Sequence, residues 1–198
     1  MNLVVNGDAE SGPGGTAEPV ESVTGWKVTQ GAPALVGYDV GGGYPTPSDP
    51  GPARRGSRFF SGGLSQRTAL MQDVQLPRKG PTGQAAVDAG RVRYALAAWL
   101  GGYAAQEDGV RLSVEFRDGR GTPVALTVLG PVTAGERGGR TGMVARDGEA
   151  AVPPGARSAR LLLVFTRTGS GASNDGYADA ISLTLSTAGT LSTAGDRS

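Results

Sequence analysis

The sequence contains no histidine and no cysteine. Histidine is the usual general base of enzymes and the commonest zinc ligand, while cysteine supplies disulfides and thiolate metal sites. These absences exclude Ser-His and Cys-His catalytic pairs, disulfides and thiolate-bound metals. Carboxylate pairs remain as a catalytic option, but the available carboxylates lie at predicted turns or, for Glu115, on a polar strand face. We therefore predict that the protein is not an enzyme.

A charge excess of either sign is also missing, because 19 basic and 18 acidic residues leave a net charge of +1. The two signs are interspersed without a basic stripe, so nothing indicates nucleic acid or an anionic membrane as a partner. No apolar run approaches the ~20 residues that a membrane-spanning helix needs, and membrane insertion is not expected. Met1 leads directly into Asn2-Leu3-Val4-Val5 without the pattern of a signal peptide.

Glycine and proline, in contrast, are abundant, with 34 glycines and 13 prolines among 198 residues. They lie between short apolar runs rather than in one block, which is typical of turns that connect many short strands. Residues 39–56 hold five glycines and four prolines, and we predict a long surface loop there. The length suits one β-sandwich domain with long loops.

Alternating apolar residues predict the strands. Residues 109–117 alternate as a half-buried strand does, with apolar side chains at Val110, Leu112, Val114 and Phe116. Residues 158–168 are apolar on both faces in their middle, which indicates a central strand. No segment shows the period of an amphipathic helix with its caps. The predicted fold class is all-β, as an antiparallel β-sandwich.

The two ends of the chain carry motifs of a known kind of domain. Residues 2–10 contain a short apolar run, then Asn6-Gly7, and then the acidic residues Asp8 and Glu10. Gly25-Trp26 follows later in the chain. Residues 176–183 place an aspartate ahead of alternating apolar side chains. These motifs resemble the opening and closing strands of galactose-binding-like jelly-roll domains, the fold of many carbohydrate-binding modules.

The resemblance spans residues 2–185 and implies how the chain is organised. It predicts a jelly-roll β-sandwich domain over residues 1–185, followed by an extended tail of Ser, Thr, Ala and Gly over residues 186–198. It also implies that the first and last strands lie side by side, because jelly rolls bring the two chain ends together.

If the chain ends are adjacent, the carboxylates of Asp8, Glu10 and Asp179 converge at one end of the sandwich. Calcium takes about six to eight oxygen ligands from carboxylates and carbonyls, and these residues beside glycine-rich turns would provide them. The resemblance thus predicts a structural calcium ion held by Asp8, Glu10 and Asp179. The alternative is that Asp8 and Asp179 only bond local backbone N–H groups at turns.

Sugar binding needs exposed aromatic rings beside polar groups, because the rings stack on sugars and the polar groups bond their hydroxyls. Trp99 shares a predicted strand face with small alanines, Tyr103 follows a Gly-Gly turn, and Tyr44 lies in the long loop. We predict Trp99, Tyr103 and Tyr44 as ligand-binding residues. The alternative is that these rings belong to the core.

Two functions are consistent with these features. The first is a non-catalytic binding module, resembling carbohydrate-binding modules, whose partner is a glycan or a cell-surface polysaccharide. The second is a structural, adhesion or decoration protein of a larger assembly, such as a phage particle or a cell-surface layer, which would bind other protein subunits or form a homo-oligomer. Both predict an extracellular or surface-exposed location, on a cell or on a virion.

Overall fold

The computed structural model describes residues 2–187, which form two five-stranded antiparallel sheets. In chain order the elements are β1 (Lys27–Gln30), β2 (Ala34–Gly37), β3 (Arg58–Ser61), β4 (Arg67–Gln75), α1 (Gln84–Asp88), β5 (Val92–Gly102), β6 (Gly109–Asp118), β7 (Pro123–Leu129), β8 (Gly142–Ala151), β9 (Ala156–Thr166) and β10 (Gly176–Thr187). The predicted antiparallel β-sandwich is confirmed. Across residues 2–187 no helix is long and apolar enough to cross a membrane.

Each sheet has a long strand at its centre. Sheet I has the order β1-β4-β9-β6-β7, and sheet II has the order β2-β3-β10-β5-β8. Strand β9 is central, as its two apolar faces predicted, because the inner face meets the core and the outer face holds Leu162 and Val164. Strand β10 is the centre of sheet II and pairs with β3 on one side and β5 on the other.

The main core lies between the two sheets and follows the alternation in the sequence. The inward side chains of β6 are the predicted set, and they are at most 1% exposed. They meet the inner faces of β5 and β9, where Tyr94 packs on Phe116 with ring centroids 4.7 Å apart. Burying one such side chain stabilises the fold by about 1.5–3 kcal/mol, so this layer supplies much of the stability.

The two chain ends are adjacent, as the resemblance implied. The backbone N–H of Leu3 donates to the carbonyl of Leu183 over 2.8 Å, and that of Ile181 donates to the carbonyl of Gly7 over 2.8 Å. The N-terminal segment makes only an isolated bridge, between Asn2 and Thr184, rather than a full strand. Strand β10 runs to Thr187, two residues past the predicted domain boundary. The rest of the predicted tail, 188–198, lies outside the described residues.

The predicted long loop at residues 39–56 contains no strand and crosses the outer side of sheet II. Arg55 holds it in place through hydrogen bonds of 2.9–3.0 Å to three loop carbonyls, those of Thr46, Asp49 and Pro52. The same guanidinium lies 5.2 Å from the ring centre of Tyr38, a cation–π contact. The prolines restrict the unfolded loop, so fixing it in this way costs less entropy than fixing a loop without them.

Candidate functional site

A second apolar cluster lies outside the main core, between sheet II and the long loop. Its buried aromatic members are Tyr38, Phe59 and Tyr177. The rings of Phe59 and Tyr177 are 5.4 Å apart in an edge-to-face arrangement, which aromatic pairs favour. The partly buried rings of Tyr44, Trp99 and Tyr103 pack against this cluster. All three residues predicted to bind a ligand therefore lie in one aromatic group.

Two of these three rings line a surface pocket of about 220 Å³, which we call the tyrosine pocket. Its lining residues are Gly42, Gly43, Tyr44, Tyr103, Ser173, Asp175 and Tyr177. Trp99 packs on the same cluster but is not among the lining residues. The structure thus brings Tyr44 and Tyr103 together from distant parts of the chain.

The glycines of the long loop let it approach the ring of Tyr103. Gly43 has φ = +97°, and a Cβ added there would lie 2.8 Å from Cε2 of that tyrosine. A side chain at this position would be strained and would also collide with the ring. A turn in which the N–H of Tyr44 donates to the carbonyl of Gly41 over 3.2 Å then directs Tyr44 into the pocket.

Asp175 places a carboxylate beside the three tyrosines. Its Oδ1 accepts a hydrogen bond of 3.2 Å from the Tyr177 hydroxyl, and its backbone N–H donates to Oδ2 of the buried Asp108 over 3.0 Å. Burial raises the pKa of Asp175, and the nearby charge of Asp108 raises it further. Within residues 2–187 no protein donor bonds Oδ2 of Asp175, so this atom is available to a ligand hydroxyl.

A buried arginine fixes the loop that carries Tyr103. The guanidinium of Arg137 donates to four backbone carbonyls, three of them within residues 102–106 and the fourth that of Arg140. They belong to Gly102 (3.0 Å), Ala104 (2.7 Å), Gln106 (2.7 Å) and Arg140 (2.7 Å). Arg137 is 7% exposed, and this desolvation lowers its pKa. The pocket wall is therefore held by hydrogen bonds that water does not replace easily.

The predicted calcium ligands lie near one another where the chain ends meet. Asp179 is fully buried, with Oδ2 accepting from the Tyr38 hydroxyl over 2.7 Å and Oδ1 accepting from the Ala180 N–H. Burial raises the pKa of Asp179 to about 7, and the charges of Asp8 and Glu10 contribute to the rise. The charges of Asp8 and Glu10 therefore act on the carboxyl group of Asp179.

Glu10 is held by donors from β3 and the residue before it. Its Oε1 accepts from the N–H groups of Ser57 and Arg58 over 2.7 Å, and its Oε2 accepts from the Ser57 hydroxyl over 2.6 Å. Burial alone would raise the pKa of Glu10, but these hydrogen bonds outweigh it and the pKa is lowered. The Arg58 guanidinium also donates to the carbonyls of Glu10 and Gly12.

The oxygen chemistry of this cluster is compatible with calcium. A carboxylate offers about four lone-pair sites, and Asp179 uses two of them for protein donors while Asp8 uses one, for the Glu10 N–H. Among residues 2–187 no group of three or more acidic side chains is placed to hold a metal by itself. Backbone carbonyls would have to complete the coordination, as calcium allows.

Solved structures with low sequence identity share this fold. The structure described as Family 16 Carbohydrate Binding Module-2 matches with a TM-score of 0.54 and 20% identity, over 92% of this chain and 99% of that one. The enzymatically active domain of bacteriophage CBA120 tailspike protein 4 has a TM-score of 0.54 and 18% identity, over 94% of this chain and 21% of that one. An arabinose-bound MgGH51 α-L-arabinofuranosidase has a TM-score of 0.52 and 15% identity, over 93% of this chain and 26% of that one.

This chain is therefore comparable in size to the binding module, but it spans only about a fifth of the tailspike chain and about a quarter of the arabinofuranosidase. No family model and no curated protein sequence matches it. The likeness shows the fold: the protein is a jelly-roll β-sandwich of the kind found in carbohydrate-binding modules, and the resemblance predicted from the chain ends is confirmed.

Sequence reasoning missed several residues of the tyrosine pocket. Asp175 immediately precedes β10 and Tyr177 is its second residue, and both come into the pocket because the start of β10 pairs with the end of β5 at Gly102. The sequence placed Tyr177 in the closing strand, but it did not show on which side of the sheet the ring lies, because a register shift separates Asp179 from Ser182. A test for aromatic and acidic residues clustered at strand ends would have indicated both.

Proposed function

We propose that the protein is a non-catalytic glycan-binding module and that the tyrosine pocket holds the sugar. The observation that carries this proposal is the convergence of Tyr44, Tyr103 and Asp175 in one small pocket on a jelly-roll fold. Aromatic faces match the C–H faces of sugar rings, and a carboxylate beside them accepts hydrogen bonds from sugar hydroxyls. The similarity to a carbohydrate-binding module supports the proposal through the fold.

Binding rather than catalysis follows from the contents of the pocket. Glycoside hydrolysis requires two carboxyl groups on either side of the scissile bond, and among residues 2–187 Asp175 is the only acidic residue that lines the pocket. Its role is to accept hydroxyl hydrogen bonds, with the hydroxyl of Ser173 as a second polar contact. A module of this kind acts outside the cell or on a surface, where polysaccharides are exposed, and we place the protein there.

Replacing Tyr103 by alanine is expected to weaken glycan binding about tenfold, because a lost stacking contact of about 1.4 kcal/mol corresponds to that factor. Tyr103→Phe keeps the ring and is expected to bind within about threefold of the unchanged protein. A glycan array identifies the sugar, and calorimetry measures both variants. A folded Tyr103→Ala protein with unaltered affinity would remove the pocket from consideration.

We propose in addition that a structural calcium ion is held by Asp8, Glu10 and Asp179 with neighbouring carbonyls. An ion there would offset part of the negative charge of Asp8, Glu10 and Asp179 near the meeting point of the N-terminal segment and β10. The role of the ion would be structural, since it would link the N-terminal segment to β10. It has no part in the proposed recognition of sugar.

The calcium proposal predicts a change of melting temperature. Treating the purified protein with EDTA is expected to lower the melting temperature, and adding back calcium is expected to restore it, because an ion that binds only the folded state adds about 2.7 kcal/mol at a concentration 100 times its dissociation constant. Magnesium at equal concentration serves as the control for ionic strength. Identical melting curves with and without chelator would contradict the site.

The alternative function, a subunit of an assembly, has one supporting observation. Strand β7 is an edge of sheet I, carries no charge, and exposes Val124, Leu126 and Val128. Exposed apolar edges of this kind pair with other chains. Ordered oligomers on a sizing column, together with no glycan binding on the same array, would favour this function over the first.

A further inference from the structure

A groove of about 430 Å³ lies on the outer face of sheet I, the sheet that does not carry the tyrosine pocket. Its floor is aliphatic, formed by Leu162 and Val164 of β9 and by Leu126 and Val128 of β7. Among residues 2–187 the lining includes no aromatic side chain, and its one carboxylate is that of Glu107, whose Oε2 accepts from the Ala134 N–H over 3.2 Å. Ring stacking therefore cannot be the means of recognition here, and the polar groups at the margins must decide what binds.

Two arginines stand over this floor, Arg67 on β4 and Arg111 on β6. Both strands pair with β9, whose Val164 is opposite Arg111 and whose Thr166 is opposite Arg67. Since adjacent strands are about 4.8 Å apart, the two arginine-bearing strands lie about 10 Å from each other across β9. Because β6 lies between β9 and β7, Arg67 stands at the β4 side of the floor, and Arg111 stands between its β9 and β7 parts.

The part of the chain that the structure describes offers these two guanidinium groups no partner. Elsewhere on the same face Arg160 binds Asp73, and Arg117 binds Glu115. Within residues 2–187 the side chains of Arg67 and Arg111 make no hydrogen bond or ion pair. Unpaired arginines over an apolar floor are suited to carboxylates, which they bind through two parallel hydrogen bonds.

Along β4, β9 and β6 the groove offers side chains but no free backbone. Strands β4, β9 and β6 are each paired on both sides, so their backbone groups are already bonded within the sheet. A peptide strand laid along the floor would leave its own backbone groups without partners. A sugar polymer instead brings hydroxyls that can bond the hydroxyls of Ser113, Thr166 and Thr168, all of which line the groove.

We propose that this arginine groove, defined by Arg67, Arg111 and the aliphatic floor, binds a carboxylate-bearing polysaccharide, a polymer of uronic acids. The carboxylates pair with the two guanidinium groups, and the C–H faces of the sugar rings rest on the aliphatic floor. The groove is a second site, and its occupation does not depend on the tyrosine pocket.

The test compares polygalacturonate with its methyl ester, the same polymer with its charges masked. The unchanged protein is expected to bind polygalacturonate in affinity electrophoresis and calorimetry, more weakly as salt is raised because salt screens exposed charges. The double variant Arg67→Gln/Arg111→Gln is expected to lose at least about tenfold in affinity, since two charge-assisted contacts disappear. The methyl ester is expected not to respond to these substitutions.

A matched control removes the same charge elsewhere. Arg78 and Arg91 are exposed, and Arg78 follows the end of β4 opposite to Arg67. Arg78→Gln/Arg91→Gln is expected to bind polygalacturonate within about twofold of the unchanged protein, because neither arginine lines the groove. Absence of polygalacturonate binding, or equal loss in both double variants, overturns the proposal.

Variants of the tyrosine pocket separate the two sites. Tyr103→Ala is expected to keep polygalacturonate binding and its salt dependence, even if it loses the neutral glycan. Loss of polygalacturonate binding in Tyr103→Ala, with the arginine variants unaffected, would assign the acidic polymer to the pocket and contradict the groove. Failure of the pocket alone therefore leaves the groove standing, and the reverse also holds.

Discussion

Replacing Gly7 by alanine is expected to lower the free energy of unfolding by about 3 kcal/mol, the upper part of the range for an overfilled site. A Cβ at Gly7 would lie 2.1 Å from the carbonyl oxygen of Ile181, which is main chain and cannot rotate away. The hydrogen bond of 2.8 Å from the Ile181 N–H to the Gly7 carbonyl holds the two segments together at this point. The added methyl group must therefore push apart the two chain ends.

Gly169→Ala is the matched control, because an added Cβ at that position meets nothing within 4 Å. It is expected to change stability by less than about 0.5 kcal/mol, as surface substitutions usually do. Urea denaturation followed by tryptophan fluorescence measures both variants. A Gly7→Ala protein as stable as the control would show that the chain ends do not meet as described.

Replacing Arg137 by methionine is expected to cost about 3–5 kcal/mol of stability and to weaken glycan binding at the tyrosine pocket. Four backbone carbonyls would lose their donor, and each buried group left unsatisfied costs about 1–3 kcal/mol, reduced where water can enter. Methionine fills the apolar part of the space but donates nothing. The loop with Tyr103 would then lose its fixed position, and the pocket wall with it.

Two further substitutions isolate the cause. Arg140→Met removes an exposed arginine from the loop that carries Arg137, and it is expected to leave stability nearly unchanged. Arg137→Lys keeps the charge but not the planar fork of donors, so it is expected to recover less than half of the lost stability. Thermal melting and calorimetry with the bound glycan give the two readouts. Full recovery by lysine would mean that charge, rather than the four hydrogen bonds, supports the loop.

Much of the fold could be predicted because burial imposes a simple period on strands. The alternation of apolar residues in β6 predicted which of its faces is buried, because buried positions exclude polar residues. The apolar residues on both faces of β9 predicted its central place in the sheet. The family resemblance at residues 2–10 and 176–183 supplied the pairing of the chain ends, which no local pattern contains. The long loop followed from its glycines and prolines.

Other features depend on contacts that the sequence does not show. Strand β8 carries Arg146, Asp147, Gly148 and Glu149 in its middle, and its place in the sheet depends on its continuous pairing with β5. The short helix α1 has no side-chain cap and only five residues, too few for a helical period. The bulge at Ala180, with φ = +51°, occurs at a residue that does not favour it.

The candidate site was predictable only in part. Tyr44 and Tyr103 stood out as aromatic residues beside glycines, because such rings can remain partly exposed. Asp175 and Tyr177 did not stand out, since their place in the pocket follows from the topology of β10 and β5. Trp99 packs on the same aromatic cluster without lining the pocket, so its role in binding stays a prediction.

The central claim, that sugar binds in the tyrosine pocket, is tested most directly by titrating ¹⁵N-labelled protein with the glycan selected on the array. Amide signals that shift in proportion to occupancy mark the bound surface. We predict that the largest shifts fall on Gly42, Gly43, Tyr44, Tyr103 and residues 173–177, with the outer face of sheet I unaffected by a neutral sugar. Saturating shifts confined to any other surface, with these residues unmoved, would contradict the proposed function.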